Sequence, residues 1–128
     1  MSVANAQKTI MAAVTSWPGV SAHPHRFGGT EFRLGRREIG HIHGDQLVDI
    51  PFPSRVRNDI VAAGQAEPHH ILPDSGWVSL YLRESADVNR ALDLLRRSHS
   101  IAAQQKARRR GTTATHSPQA SRETDLKQ

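Results

Sequence analysis

From Ser21 to about Phe52 the chain leaves a helical period for short alternating runs bounded by glycine. No other feature constrains the fold as much. Phe32 and Leu34 alternate with Glu31 and Arg33, and Gly35-Arg36 turns the chain into Glu38 to His43. Gly44-Asp45 marks a second turn, into Gln46 to Phe52. Strands joined by turns this tight pair antiparallel, because a parallel neighbour needs a long crossover connection. The stretch reads as an antiparallel meander of three or four strands.

Segments of helical period flank it. Ile10, Ala13, Val14 and Trp17 fall on one face of a helix from about Ala4 to Ser16, which Pro18-Gly19 stops. Pro51 and Pro53 close the meander, and Val56, Ile60 and Ala63 mark a second helix from about Ser54 to Ala63, with Gly64 placed for a left-handed C-cap. Gln65 to Gly76 reads as a loop, and Trp77 to Leu82 is the clearest strand. Ser85 is the expected N-cap of a third helix, with Asp87 in its first turn and Val88, Ala91, Leu92 and Leu95 on one face. It extends through His99 and Ala102 toward Arg110. The fold class is α+β, in the order α-β-β-β-(β)-α-β-α. It is a single two-layer domain, an antiparallel meander of about four to five strands with helices packed on one face. The domain is expected over 1–102. Residues 103–128 are expected to be a basic helix end and, from Gly111, a disordered tail.

Charge sharpens that division. The chain has a formal charge of +5 and a pI near 10.7. Residues 96–128 carry eight Lys or Arg and two acids, a balance of +6, so the preceding 95 residues are near neutral at −1. Nucleic-acid binding is therefore expected only through the tail, at Lys106-Ala107-Arg108-Arg109-Arg110; a solvated helix end accounts for the same run. The absence of cysteine excludes disulfides, thiolate nucleophiles and Cys-bound zinc or iron–sulfur sites. No apolar run approaches a membrane span, and the N-terminus lacks the pattern of a secretory signal, so no membrane partner and a cytoplasmic location are expected. Abundant Ala and Arg suggest a bacterial source.

Alternation sorts the strands into faces. Val78, Leu80 and Leu82 should meet the helices, as should Val48, Ile50 and Phe52. Trp77, Ser79 and Tyr81, and Leu47 with Asp49, take the other face. The Glu38 strand is ambiguous, because Ile39 falls with His41 and His43 while Ile42 falls with Gly40. If Ile42 is core, both histidines share the free face with Asp49, Trp77, Ser79 and Tyr81. Such a mixture suits a ligand surface; a half-solvated sheet face holds similar residues.

Six of the eight histidines come in pairs before residue 95: His23 and His25, His41 and His43, His69 and His70. Spacing of two on a strand puts His41 and His43 on one face about 6.6 Å apart, close enough to share a metal ion, with Asp49 as a third ligand or as an orienter. The same His–Asp pairing suits general acid–base work. Ser79 with a histidine and Asp49 could form a nucleophile triad, but no nucleophile-elbow pattern surrounds it. Gly28-Gly29 leads into a strand rather than a helix, so it reads as a tight turn rather than a phosphate cradle.

Longer motifs carry a resemblance. His23-Pro24-His25-Arg26-Phe27-Gly28-Gly29-Thr30-Glu31-Phe32 is followed by Glu38-Ile39-Gly40-His41-Ile42-His43-Gly44-Asp45 and Asp49-Ile50-Pro51-Phe52-Pro53. Pro68-His69-His70 and Asp74-Ser75-Gly76-Trp77-Val78-Ser79 complete the set. Over about residues 8 to 98 the chain resembles the luciferase-domain family of small bacterial and fungal proteins. More distantly it looks like the MmcQ/YjbR-type α+β proteins. The family name implies an oxidoreductase, but the family transfers no established catalytic residue. The chain has no flavin fingerprint, and the cofactor is left open.

Two functions follow as expectations. One is a small-molecule-binding or catalytic domain on the free sheet face, with His41, His43 and Asp49 as catalytic or metal-ligating candidates. Trp77, Ser79, Tyr81, His25 and His69 are then its ligand-binding candidates. The other is an interaction module, in which the sheet face docks a protein or a second copy, or the tail binds nucleic acid. Enzyme status is open between them.

Overall fold

The computed structural model describes residues 3–26 and 28–115, with side chains through residue 110. Three helices and six strands form one α+β domain: α1 (Ala6–Thr15), β1 (Val20–Pro24), β2 (Thr30–Leu34), β3 (Arg37–His43), β4 (Leu47–Pro51), α2 (Ser54–Ala62), β5 (Glu67–Pro68), β6 (Trp77–Tyr81) and α3 (Ser85–Thr115). The strands make a single antiparallel sheet in the order β1-β2-β3-β4-β6-β5. The first four form the expected meander. The count is higher than expected because the His23 segment is a full edge strand and the segment read as a loop contains β5. Both hold a proline, Pro24 and Pro68, which a sheet tolerates at its edges.

The helices share one face with one core. Ile10 and Val14 of α1, Ile60 of α2 and Val88, Ala91, Leu94, Leu95 and Ala102 of α3 are buried against Val48, Ile50, Phe52, Val78, Leu80 and Leu82. The expected inward set of β4 and β6 is therefore the observed one. Gly64 (φ 72°) ends α2 as a left-handed cap, with Gln65 N–H bonding to the Ile60 carbonyl. Capping of α3 differs from the expectation. Ser85 is its first residue, and the Asp87 carboxylate accepts the Arg83 and Glu84 N–H groups at 2.9 and 3.0 Å. A carboxylate here serves two orphan donors and complements the helix dipole, which a hydroxyl at Ser85 would do less well.

The ambiguous strand is settled by a bulge. Glu38 pairs with Arg33 and Gly40 with Phe32, so Ile39 is an extra residue between them. An extra residue reverses the alternation. Ile39 and Ile42 are thus both fully buried, while Glu38 and His41 share the open face although three residues apart. Beneath them α3 approaches closely: a Cβ on Gly40 would lie 2.5 Å from Leu95 Cδ2.

Helix α3 runs past the domain boundary drawn at residue 102. It follows the sheet to the β2–β3 turn, where Arg37 donates to Gln105. It then continues through Gly111–Thr115, a span expected to be disordered, because extending an existing helix costs far less than nucleating one. Residues 116–128, most of the expected tail, lie outside the described residues. Among the described residues no helix is long and apolar enough to cross a membrane.

Candidate functional site

The sheet's open face carries one row of polar residues across all six strands. His23 pairs with Glu31, Glu31 with His41, His41 with Asp49, Asp49 with Ser79, and Ser79 with Glu67. At the middle of the row His41, Asp49 and Ser79 are buried, and Asp49 and Ser79 are fully so. A buried carboxylate must be paired or hydrogen-bonded, and Asp49 is served from every side. The Ser79 hydroxyl donates to Oδ1 at 2.7 Å, and itself accepts the His70 backbone N–H at 3.2 Å. Around Oδ2 stand the Nε2 atoms of four imidazoles: His41 at 3.1 Å, His70 at 3.2 Å, His43 at 3.3 Å and His69 at 3.5 Å.

Their other nitrogens fix two of the proton positions. His41 Nδ1 lies 2.6 Å from the Glu38 carboxylate, which only accepts, so Nδ1 carries a proton. His69 Nδ1 accepts the backbone N–H groups of Ile71 and Leu72 at 3.1 and 3.0 Å, so the proton of His69 is on Nε2 and faces Asp49. Burial by itself would lower the pKa of His41, but hydrogen bonds to Asp49 and Glu38 and their charges outweigh it and push it up to about 9. Burial would raise Asp49, yet bonds from His41 and Ser79 hold it well below the usual carboxylate range. Burial lowers His43, helped by the neighbouring charge of His41, and burial is also the main cause of a lowered His69. A cationic imidazole therefore sits beside a neutral one, a combination suited to proton donation and acceptance at adjacent positions.

Above this cluster is a cavity of about 470 Å³. Its floor is His41, His43, Asp49, His69 and His70, and Glu38, His25, Arg26, Trp77, Ile71 and Leu72 complete the lining. His25 stacks on His41 with ring centroids 4.1 Å apart, and the Trp77 ring lies 5.2 Å from His41 on another side. Ile71 and Leu72 are the exposed large apolar side chains of the described residues. Ligand atoms able to hold a metal lie within 4.8 Å of one another in three sets: His41, His43 and Asp49; Asp49, His69 and His70; and His25, Glu38 and His41.

Of the residues singled out in the sequence, His25, His41, His43, Asp49, His69 and Trp77 line this one cavity. Ser79 lies beneath it, positioning Asp49 rather than forming a wall. Tyr81 is not brought in; it pairs with Leu47 at the other end of β6 and is covered by the Arg83 guanidinium 4.9 Å from its ring. Sequence reasoning passed over Glu38, Arg26, Ile71 and Leu72, and noted His70 as the neighbour of His69 without making it a site candidate. The signal for Glu38 was present: two isoleucines three apart in one strand are both buried only if the alternation breaks between them. The loop residues have no such signal, because a loop has no period to place them.

Fold and cavity define a class: a small α+β protein with a histidine–aspartate cluster on the open face of its antiparallel sheet. Residues 36–98 match the model of the luciferase-domain family, described as "Luciferase domain". That span runs from the β2–β3 turn into α3 and includes Glu38, His41, His43, Asp49, His69, His70 and Trp77; His25 and Arg26 precede it. No curated protein and no solved structure matches the chain.

Proposed function

We propose that this domain binds a small molecule in the cavity on its open sheet face, and that the histidine–aspartate cluster on the floor is the part that acts on it. One observation carries this reading. Side chains from the β1–β2 loop, β3, β4, the segment after β5, and β6 converge on a single cavity around one buried carboxylate. Burying a charge is costly, and apolar residues of the same volume often serve a fold's stability at least as well.

The lining also says what kind of ligand fits. Trp77, Ile71 and Leu72 offer apolar surface beside the polar groups of the floor, a mixture typical of small-molecule sites. His43 and His70 keep about a third of their side chains exposed (30% and 31%), whereas His41 and His69 are nearly covered. The first two are the imidazoles that a ligand would touch. A molecule with an apolar body and one oxygen-bearing end matches both halves.

An aromatic carboxylate, 2-naphthoate, is a suitable probe, followed by NMR of the imidazole Hε1 protons. The His43 and His70 resonances are expected to shift together and saturate. Those of His23, bonded to Ser21 on the edge strand, and of His99, packed on Trp17, are expected to stay. No shift at millimolar probe, where a binding free energy of about −4 kcal/mol would already register, or equal shifts at His23 and His99, would overturn the reading.

A further inference from the structure

We infer that His41, His43 and Asp49 form the metal-binding half of this cluster: a two-histidine, one-carboxylate site for a divalent first-row transition-metal ion, with Glu38 and Ser79 orienting the ligands. This deepens the reading of the cavity as the working site and rests on it for the open coordination positions.

The first argument is the crowding on one oxygen. A carboxylate oxygen has two lone-pair positions, yet four imidazole nitrogens lie 3.1–3.5 Å from Asp49 Oδ2. His69 is committed as a donor by the two amides on its Nδ1, and so it cannot offer a lone pair to a metal. His41 has its Nδ1 proton held by Glu38, so Nε2 is its ligating atom once the ion displaces the proton it shares with Asp49. That carboxylate–histidine arrangement is the one that fixes a metal-ligating imidazole and raises its basicity. His43 is surplus as a donor to Oδ2, and a cation beside that oxygen gives its lone pair a partner.

The second argument is distance. Metal bonds of about 2.0–2.2 Å to nitrogen and carboxylate oxygen set neighbouring ligand atoms about 3.0 Å apart at right angles and about 3.4 Å apart at a tetrahedral angle. The separations from Oδ2 to Nε2 of His41 and His43 are 3.1 and 3.3 Å. These two nitrogens and the carboxylate also lie within 4.8 Å of one another, as a set that does not include His70. His70 belongs with His69 on the other flank of Asp49.

The third argument is rigidity. His41 and His43 project from one strand, and Asp49 is the direct cross-strand partner of His41. Ser79, the next residue in the row, holds the other carboxylate oxygen. Sites built on paired strands are held more closely than sites on loops. Nitrogen and carboxylate donors without sulfur suit iron, zinc, nickel or copper, and two histidines with one carboxylate leave positions free for an oxygen ligand from the cavity.

The test uses the full chain, dialysed against a chelator and titrated with Co²⁺ alone, read by its visible absorption and by calorimetry. One ion per chain is expected. His43→Ala, at a position about a third exposed that tolerates truncation, should weaken binding more than about 100-fold, and Glu38→Gln about 10- to 100-fold at unchanged stoichiometry. His69→Ala should still bind one ion. Circular dichroism confirms that each variant is folded. No saturable Co²⁺ binding, binding undiminished in His43→Ala, or binding lost in His69→Ala but kept in His43→Ala would overturn the assignment. The two readings fail separately. Naphthoate shifts in chelator-treated protein without Co²⁺ binding would sink the metal and keep the pocket, and Co²⁺ binding without naphthoate shifts would do the reverse.

Discussion

Asp49→Ala is expected to cost the chelator-treated domain about 3–5 kcal/mol, the range for removing one partner from a buried ionic cluster. The loss does not come from all four imidazoles. His43 and His70 are a third exposed and can turn to solvent, whereas His41 and His69 are nearly covered, with their other nitrogens already engaged. They and the fully buried Ser79 hydroxyl are left without their acceptor. Urea denaturation monitors this as a fall in midpoint at an unchanged slope. Ser79→Ala alone should cost only about 1–2 kcal/mol, and the pair should couple by about 0.5–3 kcal/mol in a double-mutant cycle. A loss within about 1 kcal/mol for Asp49→Ala would show that the cluster relaxes without its centre, contrary to the buried network described above.

Gly40→Ala should have an effect of similar size from the opposite face of the sheet, on the neighbouring strand β3. Its Cβ would meet Leu95 Cδ2 at 2.5 Å and the Asp49 carbonyl oxygen at 3.2 Å. Overpacking of this kind costs about 1–3 kcal/mol. The backbone φ of 156°, which side chains rarely adopt, adds a comparable amount. Leu95→Ala by itself should cost about 3–5 kcal/mol, because Leu95 is fully buried. In the Leu95→Ala background the clash with Cδ2 is gone, so adding Gly40→Ala should cost clearly less than it does in the natural chain. Strict additivity in thermal or urea unfolding would mean that α3 does not seat in the notch at Gly40.

Much of this was legible in the residues because period and punctuation are local. The alternation of Val78, Leu80 and Leu82 against Trp77 and Ser79 predicts the buried and open faces of β6, and Val48 and Ile50 against Asp49 do the same for β4. Those two assignments alone bring Asp49 and Trp77 to one side. The bulge at Ile39 was only half legible: the conflict between Ile39 and Ile42 was visible, but its resolution depends on how β3 pairs with Arg33 and Phe32, a long-range fact. The position of Glu38 was hidden with it. His69 and His70 were harder still. They reach Asp49 because two residues of β5 pair with β6, a contact that a stretch with two prolines gives no reason to expect. Tyr81 shows the reverse error, since being on the right face does not put a residue at the right end of its strand.

That two-residue β5 divides the imidazoles by cooperativity. His41 and His43 belong to one strand, β3, paired on both sides within the meander, so their backbone amides should exchange with solvent hydrogen only on near-global opening. His69 and His70 hang from the sheet's last and shortest strand, where Pro68 has no amide to give. The amides of His70, Ile71 and Leu72 find their acceptors in side chains, the Ser79 hydroxyl and the His69 ring. Their exchange should therefore report occupancy of the site itself. A ligand bound against His70 would slow it, while the amides of Val48 and Ile50 in the core would not change.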